Sequence, residues 1–422
     1  MSKMTLSQEL QWRGFVNQTT LTDLSKLDEN KLKFYHGYDA SSDSLTVGNL
    51  AALMLDKCFM RHGHEAVLLA GGATSLIGDP GGKEAERTLQ SADVIAANVG
   101  AVRMQIEQLI GAKVTMVNNI DWYKEMNVLE YLRDVGKYFS MTPLVQRDYI
   151  AKRMGEGGAG ISYTEFSYTI LQGYDFLYLY RKYGATLQLA GSDQWGNSLS
   201  GVDLIRRVEG KETHVFTCPL IIDKATGKKF GKSEDGAVWL DSAKTSVYKF
   251  YQFWLNSDDE GVEGYLKVFT ELNKSAIDTV MDEFNKNKAD RAAQKTLAYE
   301  VTKLVHGKES AETQKELVEV LFETEDYLGL SDKHFGILRK ELPVATISKA
   351  ATLDDFVAVL VDLGLASSKT QARQFIEAGA IYVNGEKMQT SETRFLFDTI
   401  SKSAVVVVRR GKNSNAIVQI GN

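Results

Sequence analysis

The chain has 422 residues, with 44% hydrophobic and 25% charged positions and a net charge of −6. That length predicts two or three domains, and the composition is that of a globular protein with ample core material, not of a general polyanion binder. The only cysteines, Cys58 and Cys218, exclude a disulfide framework or a cysteine-rich zinc site and suit a reducing cytoplasm.

The amino-terminal segment is polar and amphipathic and lacks the apolar core of a signal peptide. No run of ~18 apolar residues predicts a membrane span. Residues 4–30 read as helix, turn, helix. A strand over 32–38 then enters Gly37, Asp39 and the small polar run 40–44, and an apolar helical pattern follows through Leu50, Leu53, Met54, Cys58 and Met60. A strand, a loop rich in small residues and a helix amino terminus make a corner suited to a phosphate-bearing ligand, although the same residues serve equally as plain helix caps. Residues 65–70 predict a buried strand ending in the glycine-rich turn 71–82. A helix is expected over 91–109, another strand over 113–118, and helices up to 138. This alternation predicts a Rossmann-like parallel α/β sheet with ligands at the carboxyl ends of its strands. Asp79, in the second turn, reads as a local turn carboxylate or as a partner for a ligand ammonium.

Residues 163–180 predict a largely apolar helix in which Tyr168, Gln172 and Asp175 fall at i, i+4 and i+7, on one face. A phenol, an amide and a carboxylate in line predict either a partly exposed stripe or the wall of a pocket for a small zwitterion. In 187–197 (LQLAGSDQWGN) a strand ends at Gly191, and Ser192, Asp193 and Gln194 project from the turn. Another apolar run covers 215–222. The lysine-rich segment 223–233 follows, in which Gly227 and Gly231 allow movement and Lys229 and Lys232 flank Phe230-Gly231. It reads as a solvated loop or as one that closes over a triphosphate.

Together FYHGYDASSDSL (34–45), GDPGG (78–82), YTEFSYTILQGYDF (163–176), GSDQWGN (191–197) and KFGKS (229–233) resemble the bacterial-type tyrosyl-tRNA synthetases, a class I aminoacyl-tRNA synthetase family, over essentially the whole length. The resemblance implies activation of L-tyrosine by ATP to tyrosyl-adenylate and pyrophosphate, then transfer to the 3′ end of tRNA(Tyr). It implies that Tyr35 and Asp175 hold the tyrosine hydroxyl, that Asp79, Tyr168 and Gln172 hold its ammonium, and that Gln194 orients its carboxylate. Gly37 and Asp39 should lie by the α-phosphate, Gly191 and Asp193 by the ribose, with Gly48 in the ATP site. Lys229 and Lys232 should clamp the pyrophosphate, with Mg²⁺ carried by ATP and no metal site of the protein's own. The chemistry, attack of a carboxylate on a phosphoryl group, needs positioning and charge stabilisation but no enzyme nucleophile.

One signature departs from the family. Where the family has HIGH, this chain has Thr46-Val47-Gly48-Asn49. Asn49 is expected to place an amide where an imidazole would lie, and Thr46 to offer a shorter donor. Ser41 keeps a hydroxyl where threonine is usual. His36 replaces the frequent cysteine at a position that the resemblance implies contacts the ribose.

The domain reading is a catalytic domain over 1–240 with its KFGKS loop at 223–235, a helical anticodon-binding domain over 241–325, a linker over 326–350 and an S4-like RNA-binding domain over 351–422. In the last, a helix opens at 367–373 and an Asn-Gly hairpin covers 381–387. From Ser367 onward eight basic residues outnumber four acidic ones. Lys369, Arg373, Arg409, Arg410 and Lys412 are the expected RNA contacts. A homodimer is implied by the family. Two other readings are a tryptophanyl-tRNA synthetase, disfavoured by Tyr35 with Asp175, and a catalytically weakened paralogue that binds RNA, favoured only by the altered HIGH segment.

Overall fold

The structure is a computed structural model. It describes residues 4–80, 89–111, 114–146, 148–222, 227, 230–233, 236–321, 330–348, 351–388, 405–411 and 414–421, without the side chains of 143, 148, 149, 232 and 233. The chain divides into two compact units, one of residues 1–246 and 253–305, the other of 247–252 and 306–422.

The first unit is built on a six-stranded sheet: β1 (Gln18–Thr19), β2 (Lys33–Asp39), β3 (Glu65–Gly71), β4 (Thr115–Asn118), β5 (Leu187–Gly191) and β6 (His214–Cys218), in the order β1-β6-β5-β2-β3-β4. All neighbours are parallel except β1, which runs antiparallel to β6. The inner strand β3 is buried throughout 66–71, as suits a parallel sheet covered on both faces. The chain steps outward from β2 through β3 to β4, then returns beside β2 as β5 and steps the other way to β6. The order therefore reverses between β2 and β5, and their carboxyl ends open a crevice there. The expected second glycine turn is shorter than the sequence pattern suggested. Gly72–Ile77 forms a helix straight out of β3, its first N–H groups accepted by Asn118 and Asn119.

A short hairpin, β7 (Lys232–Ser233) and β8 (Gly236–Ala237), follows β6. The chain then runs beside the start of the Val47–Arg61 helix, with Val47 N–H donating to Val238 and Leu240 N–H to Leu45. Within the same unit, Phe253, Trp254, Tyr265 and Phe269 form an aromatic cluster around Phe230.

The second unit carries a five-stranded sheet of β9 (Val344–Ser348), β10 (Ile381–Val383), β11 (Glu386–Lys387), β12 (Val405–Arg410) and β13 (Ser414–Gly421), ordered β11-β10-β12-β13-β9. Val406, Val408 and Val418 pack on the Leu353–Asp362 and Lys369–Glu377 helices, while Val405, Val407 and Ile417 pack on Leu317, Leu321, Phe335 and Leu338. Burial on both faces explains the unbroken valine run. The Asn-Gly hairpin is present, with positive φ at Asn384 (45°) and Gly385 (83°), as a type I′ turn requires.

The stretch read as a linker, 326–350, is corrected by this arrangement. Asp332–Glu341 is a helix whose Phe335 and Leu338 are buried, and Val344–Ser348 is β9, paired in parallel with β13. Gly336 and Pro343 hid both elements. Gly336 sits inside the helix, and Pro343 stands just ahead of the strand. No helix among the described residues is long and apolar enough to cross a membrane.

Candidate active site

Two cavities of about 280 Å³ each lie over the crevice between β2 and β5. They share His36, Gly37, Tyr38, Asn49, Gly191 and Asp193. The first extends to Tyr35, Asp79, Tyr168, Gln172, Asp175 and Gln194. The second extends to Thr46, Gly48, Cys218, Leu220 and Phe230. Strand alternation sorts the β2 side chains: Tyr35 falls on one face, His36 and Tyr38 on the other.

Polarity at the closed end of the first cavity is set by Tyr35 and Asp175, each 1% exposed. The Tyr35 ring lies against Phe176, with centroids 5.1 Å apart. Its hydroxyl is buried with no hydrogen-bond partner among the described residues. Burial, reinforced by Asp175, holds the Tyr35 phenol well above its ordinary range. Asp175 accepts from Asn119 Nδ2 (3.1 Å) and Trp122 Nε1 (3.0 Å). Burial nevertheless outweighs these donors and pushes the carboxyl up to about 7. Trp122 is in turn stacked on Tyr178, centroids 4.3 Å apart.

A chain of side-chain hydrogen bonds leads to Gln194 and Asp79 of the first cavity. Thr169 donates to Asn197 (2.7 Å), Asn197 to Gln194 (3.1 Å), and Gln194 to Asp79 (2.6 Å). It ties the Tyr163–Tyr183 helix, the Trp195–Glu209 helix and the turn after β3 together. Tyr168, Gln172 and Asp175 do share one wall, and the Gln172 Oε1 is buried without a partner among the described residues. That wall is fixed by the capping box at Ser162 and Glu165 and by Arg153, which makes two bonds of 2.6 and 2.8 Å to the buried Glu165 carboxylate.

At the opposite end, Asp39 accepts from the N–H and hydroxyl of Ser41 (3.0 Å each) and from Ser75 (2.6 Å). Ser41 therefore orients Asp39. A Cβ on Gly191 would stand 2.8 Å from Asp193 Oδ1, so the carboxylate would have to shift to admit a side chain.

Thr46 and Asn49 both line the second cavity, and they also bond each other. Thr46 is the N-cap of the Val47–Arg61 helix, and Asn49 Oδ1 accepts from both its N–H and its hydroxyl, each at 2.9 Å. The threonine proton is thus engaged within the cap. Gly231 closes against this segment: at φ 92°, a Cβ on it would lie 3.1 Å from Val47 Cβ and 3.4 Å from the Gly48 nitrogen. Phe230, stacked on Tyr265 at 4.2 Å, anchors the same approach. Lys229 lies outside the described residues, and Lys232 is described only as backbone in β7.

In the second unit, Lys369 is exposed at the start of its helix, and Arg373 pairs with Asp354 at 2.9 Å. Arg409 lies over the Tyr382 ring (4.4 Å), and Arg410 donates to the Leu365 carbonyl (2.9 Å). Lys412 lies outside the described residues.

Sequence reasoning missed Asn119 and Trp122, which hold Asp175 from a segment without clear periodicity. It also passed over Asp56, a buried carboxylate that accepts from Tyr38 (2.5 Å) and bonds His36 Nδ1 (2.8 Å). The available signal was an acidic residue inside LAALMLDKCFM (50–60).

Residues 27–323 match the family model for class I tRNA synthetases (W and Y), and residues 335–418 match the model for the tyrosine–tRNA ligase SYY-like C-terminal domain. The chain belongs to the class I tRNA synthetases of the tryptophan and tyrosine branch. Within that branch it is 43% identical to tyrosine–tRNA ligase 2 of Bacillus cereus, covering 99% of this chain and 100% of that protein. It is 42% identical to tyrosine–tRNA ligase 1 of Streptococcus thermophilus, with 98% and 100% covered. Among solved structures, a C-terminally truncated mitochondrial tyrosyl-tRNA synthetase of Aspergillus nidulans is 30% identical with a TM-score of 0.68, covering 76% of this chain and 95% of that one. A tyrosyl-tRNA synthetase of Archaeoglobus fulgidus, 12% identical over 74% of this chain and 99% of its own, shares the fold with a TM-score of 0.55. Both the second model and the full-length relatives favour the tyrosine branch over the tryptophan one.

Proposed function

We propose that this chain is a tyrosine–tRNA ligase that activates L-tyrosine with ATP and transfers it to the 3′ end of tRNA(Tyr). The observation that carries the reading is the pair at the end of the first cavity. A buried phenol without a partner faces a buried carboxylate, and a ligand hydroxyl inserted there satisfies both. Asp79, Tyr168 and Gln172 line the same wall and suit an ammonium, with Gln194, already bonded to Asp79, placed for the carboxylate. ATP fits the second cavity, its ribose by Gly191 and Asp193 and its α-phosphate by Gly37 and Asp39. Gly48 and Asn49 lie beside it, Lys229 and Lys232 reach the pyrophosphate, and Mg²⁺ comes bound to the nucleotide. Thr46 acts chiefly by fixing Asn49, and Ser41 by fixing Asp39.

The RNA contacts are assigned to Lys369, Arg373, Arg409, Arg410 and Lys412 in the second unit, with 241–325 reading the anticodon arm. The homodimer is carried over from the family resemblance. Two buried free cysteines fit the cytoplasm. Tyrosine-dependent ATP–pyrophosphate exchange with the purified chain is the test. Exchange with tyrosine and not with phenylalanine or tryptophan is expected, and no exchange with tyrosine refutes the reading.

A further inference from the structure

The loop 40–45, which carries the chain from Asp39 to Thr46, is gripped by the Ala92–Ile110 helix, none of whose residues lines either cavity. That helix places Asn98 and Gln105 seven residues apart, on one face. Asn98, itself buried, donates to the Ala40 carbonyl (2.9 Å) at the start of the loop. Gln105 holds the other end. Its Oε1 accepts the Leu45 N–H (2.8 Å), and its Nε2 donates to the Ser44 hydroxyl oxygen (3.1 Å). Ser44 and Leu45, both buried, also meet the chain that returns from the KFGKS hairpin. Ser44 Oγ accepts the Asp241 N–H (3.2 Å) and donates to the Leu45 carbonyl (3.0 Å), which takes the Leu240 N–H as well (2.8 Å). A hydroxyl has one proton and two lone pairs, so Ser44 is fully used. The ladder continues beyond it: Val47 N–H donates to the Val238 carbonyl (3.0 Å), and Val238 N–H to the Gly231 carbonyl (2.9 Å). A buried polar network with its members satisfied holds one geometry, and the loss of one member strands the others.

We propose that Gln105 is a positioning residue for adenylate formation, and that its amide sets the spacing between the loop leading to Thr46, Gly48 and Asn49 and the chain that carries KFGKS. It touches no reacting atom. Its effect passes through Leu45 to the start of the Val47–Arg61 helix, and through Ser44 to Asp241 and back along 238–240 to Gly231. The assignment rests on the functional reading above. Two segments that must close together on the departing pyrophosphate act in the transition state, so an error in their spacing lowers the rate of the chemical step. The tyrosine pocket, framed by Asp175 with Asn119 and Trp122, lies outside this network, and tyrosine affinity is spared.

The test is rapid-quench measurement of tyrosyl-adenylate formation by the full chain. The rate constant is referred to active sites counted from the adenylate burst, and Kd for tyrosine is measured separately. Gln105→Met keeps the length of the side chain and removes the amide. It is expected to lower the rate constant about tenfold and to leave Kd for tyrosine within about twofold. Ser44→Ala is expected to lower the rate constant about fivefold in the parent and less than about twofold in the Gln105→Met background, because the two side chains act as one unit. A Gln105→Met rate constant within about twofold of the parent overturns the proposal. So does a loss shared equally by the rate constant and tyrosine affinity, or a pair of losses that multiply in the double variant, since either is what a merely structural amide gives. Where Gln105→Met fails to fold, Ser44→Ala, which removes a single oxygen, carries the same test: a lower rate constant at unchanged Kd supports the assignment, and an unchanged rate constant refutes it. A parent chain that forms no adenylate sinks the functional reading, whereas an active parent with an indifferent Gln105→Met sinks this inference alone.

Discussion

Tyr35→Phe separates stability from recognition at a single atom. The hydroxyl it removes is buried, with no partner among the described residues, beside a buried Asp175. An unpaired buried hydroxyl carries a desolvation penalty of about 1–3 kcal/mol, and the phenylalanine ring keeps the Phe176 contact. The variant is therefore expected to be at least as stable as the parent, by up to about 1 kcal/mol. Recognition moves the opposite way. Bound tyrosine loses one neutral hydrogen bond worth about 1 kcal/mol, which lowers kcat/KM for tyrosine by about fivefold and leaves phenylalanine unaffected. Discrimination between the two amino acids narrows by the same factor and is not abolished, since Asp175 remains. Urea denaturation and pyrophosphate exchange with each amino acid read the two halves. A loss of more than about 1 kcal/mol of stability, or an unchanged tyrosine-to-phenylalanine ratio, would refute the placement of this hydroxyl.

Asp175 gives a pH signature. Its folded carboxyl titrates at about 7 against 3.8 for the free side chain, so the folded state binds the proton more tightly. This contribution to stability is fully present below about pH 4 and is lost as pH rises to about 7, a change of up to about 4 kcal/mol. Urea denaturation from pH 4 to 8 should show this slope in the parent and not in Asp175→Asn. Thr46→Ala removes one of two donors to Asn49 Oδ1, costing about 1 kcal/mol of stability and at most about tenfold in the rate of tyrosyl-adenylate formation, read by thermal unfolding and rapid quench. Arg153→Met strands the buried Glu165 charge and should destabilise by about 3–5 kcal/mol in urea denaturation. Phe230→Ala should cost about 3 kcal/mol through the emptied aromatic nest and lower kcat for exchange more than it raises KM for tyrosine.

The parallel sheet was legible because β3 and β5 carry plain signals: short, mostly apolar runs that end in glycine and are followed by helices. What was not legible in 326–350 shows the limit of punctuation. Gly336 is tolerated within a helix, and a proline at 343 serves ahead of an edge strand, so breakers read as linker residues stood inside and beside regular elements. The consequence reaches experiment. A truncation at 351 does not excise an independent module, because Val405, Val407 and Ile417 cover Leu317, Leu321 and Leu338 on the other side of that cut. Removing them exposes one core and says little about RNA. A cleaner probe of the second unit's role is charge reversal at Lys369 and Arg373, which are exposed.

In the site, residues that share one helix or one strand end were visible, and those brought by another element were not. Helical spacing put Tyr168, Gln172 and Asp175 on one wall, but nothing local announced that Asn119 and Trp122 would hold Asp175. The HIGH position illustrates the same limit with the sign reversed. Read in isolation, Thr46 and Asn49 are two weaker donors replacing two histidines. Folded, they are partners of each other at a helix start, and Oδ1 of Asn49 takes both Thr46 protons. That leaves Asn49 Nδ2 as the group this segment can offer to a ligand. The helix thus carries an altered signature at its start and a buried carboxylate farther along.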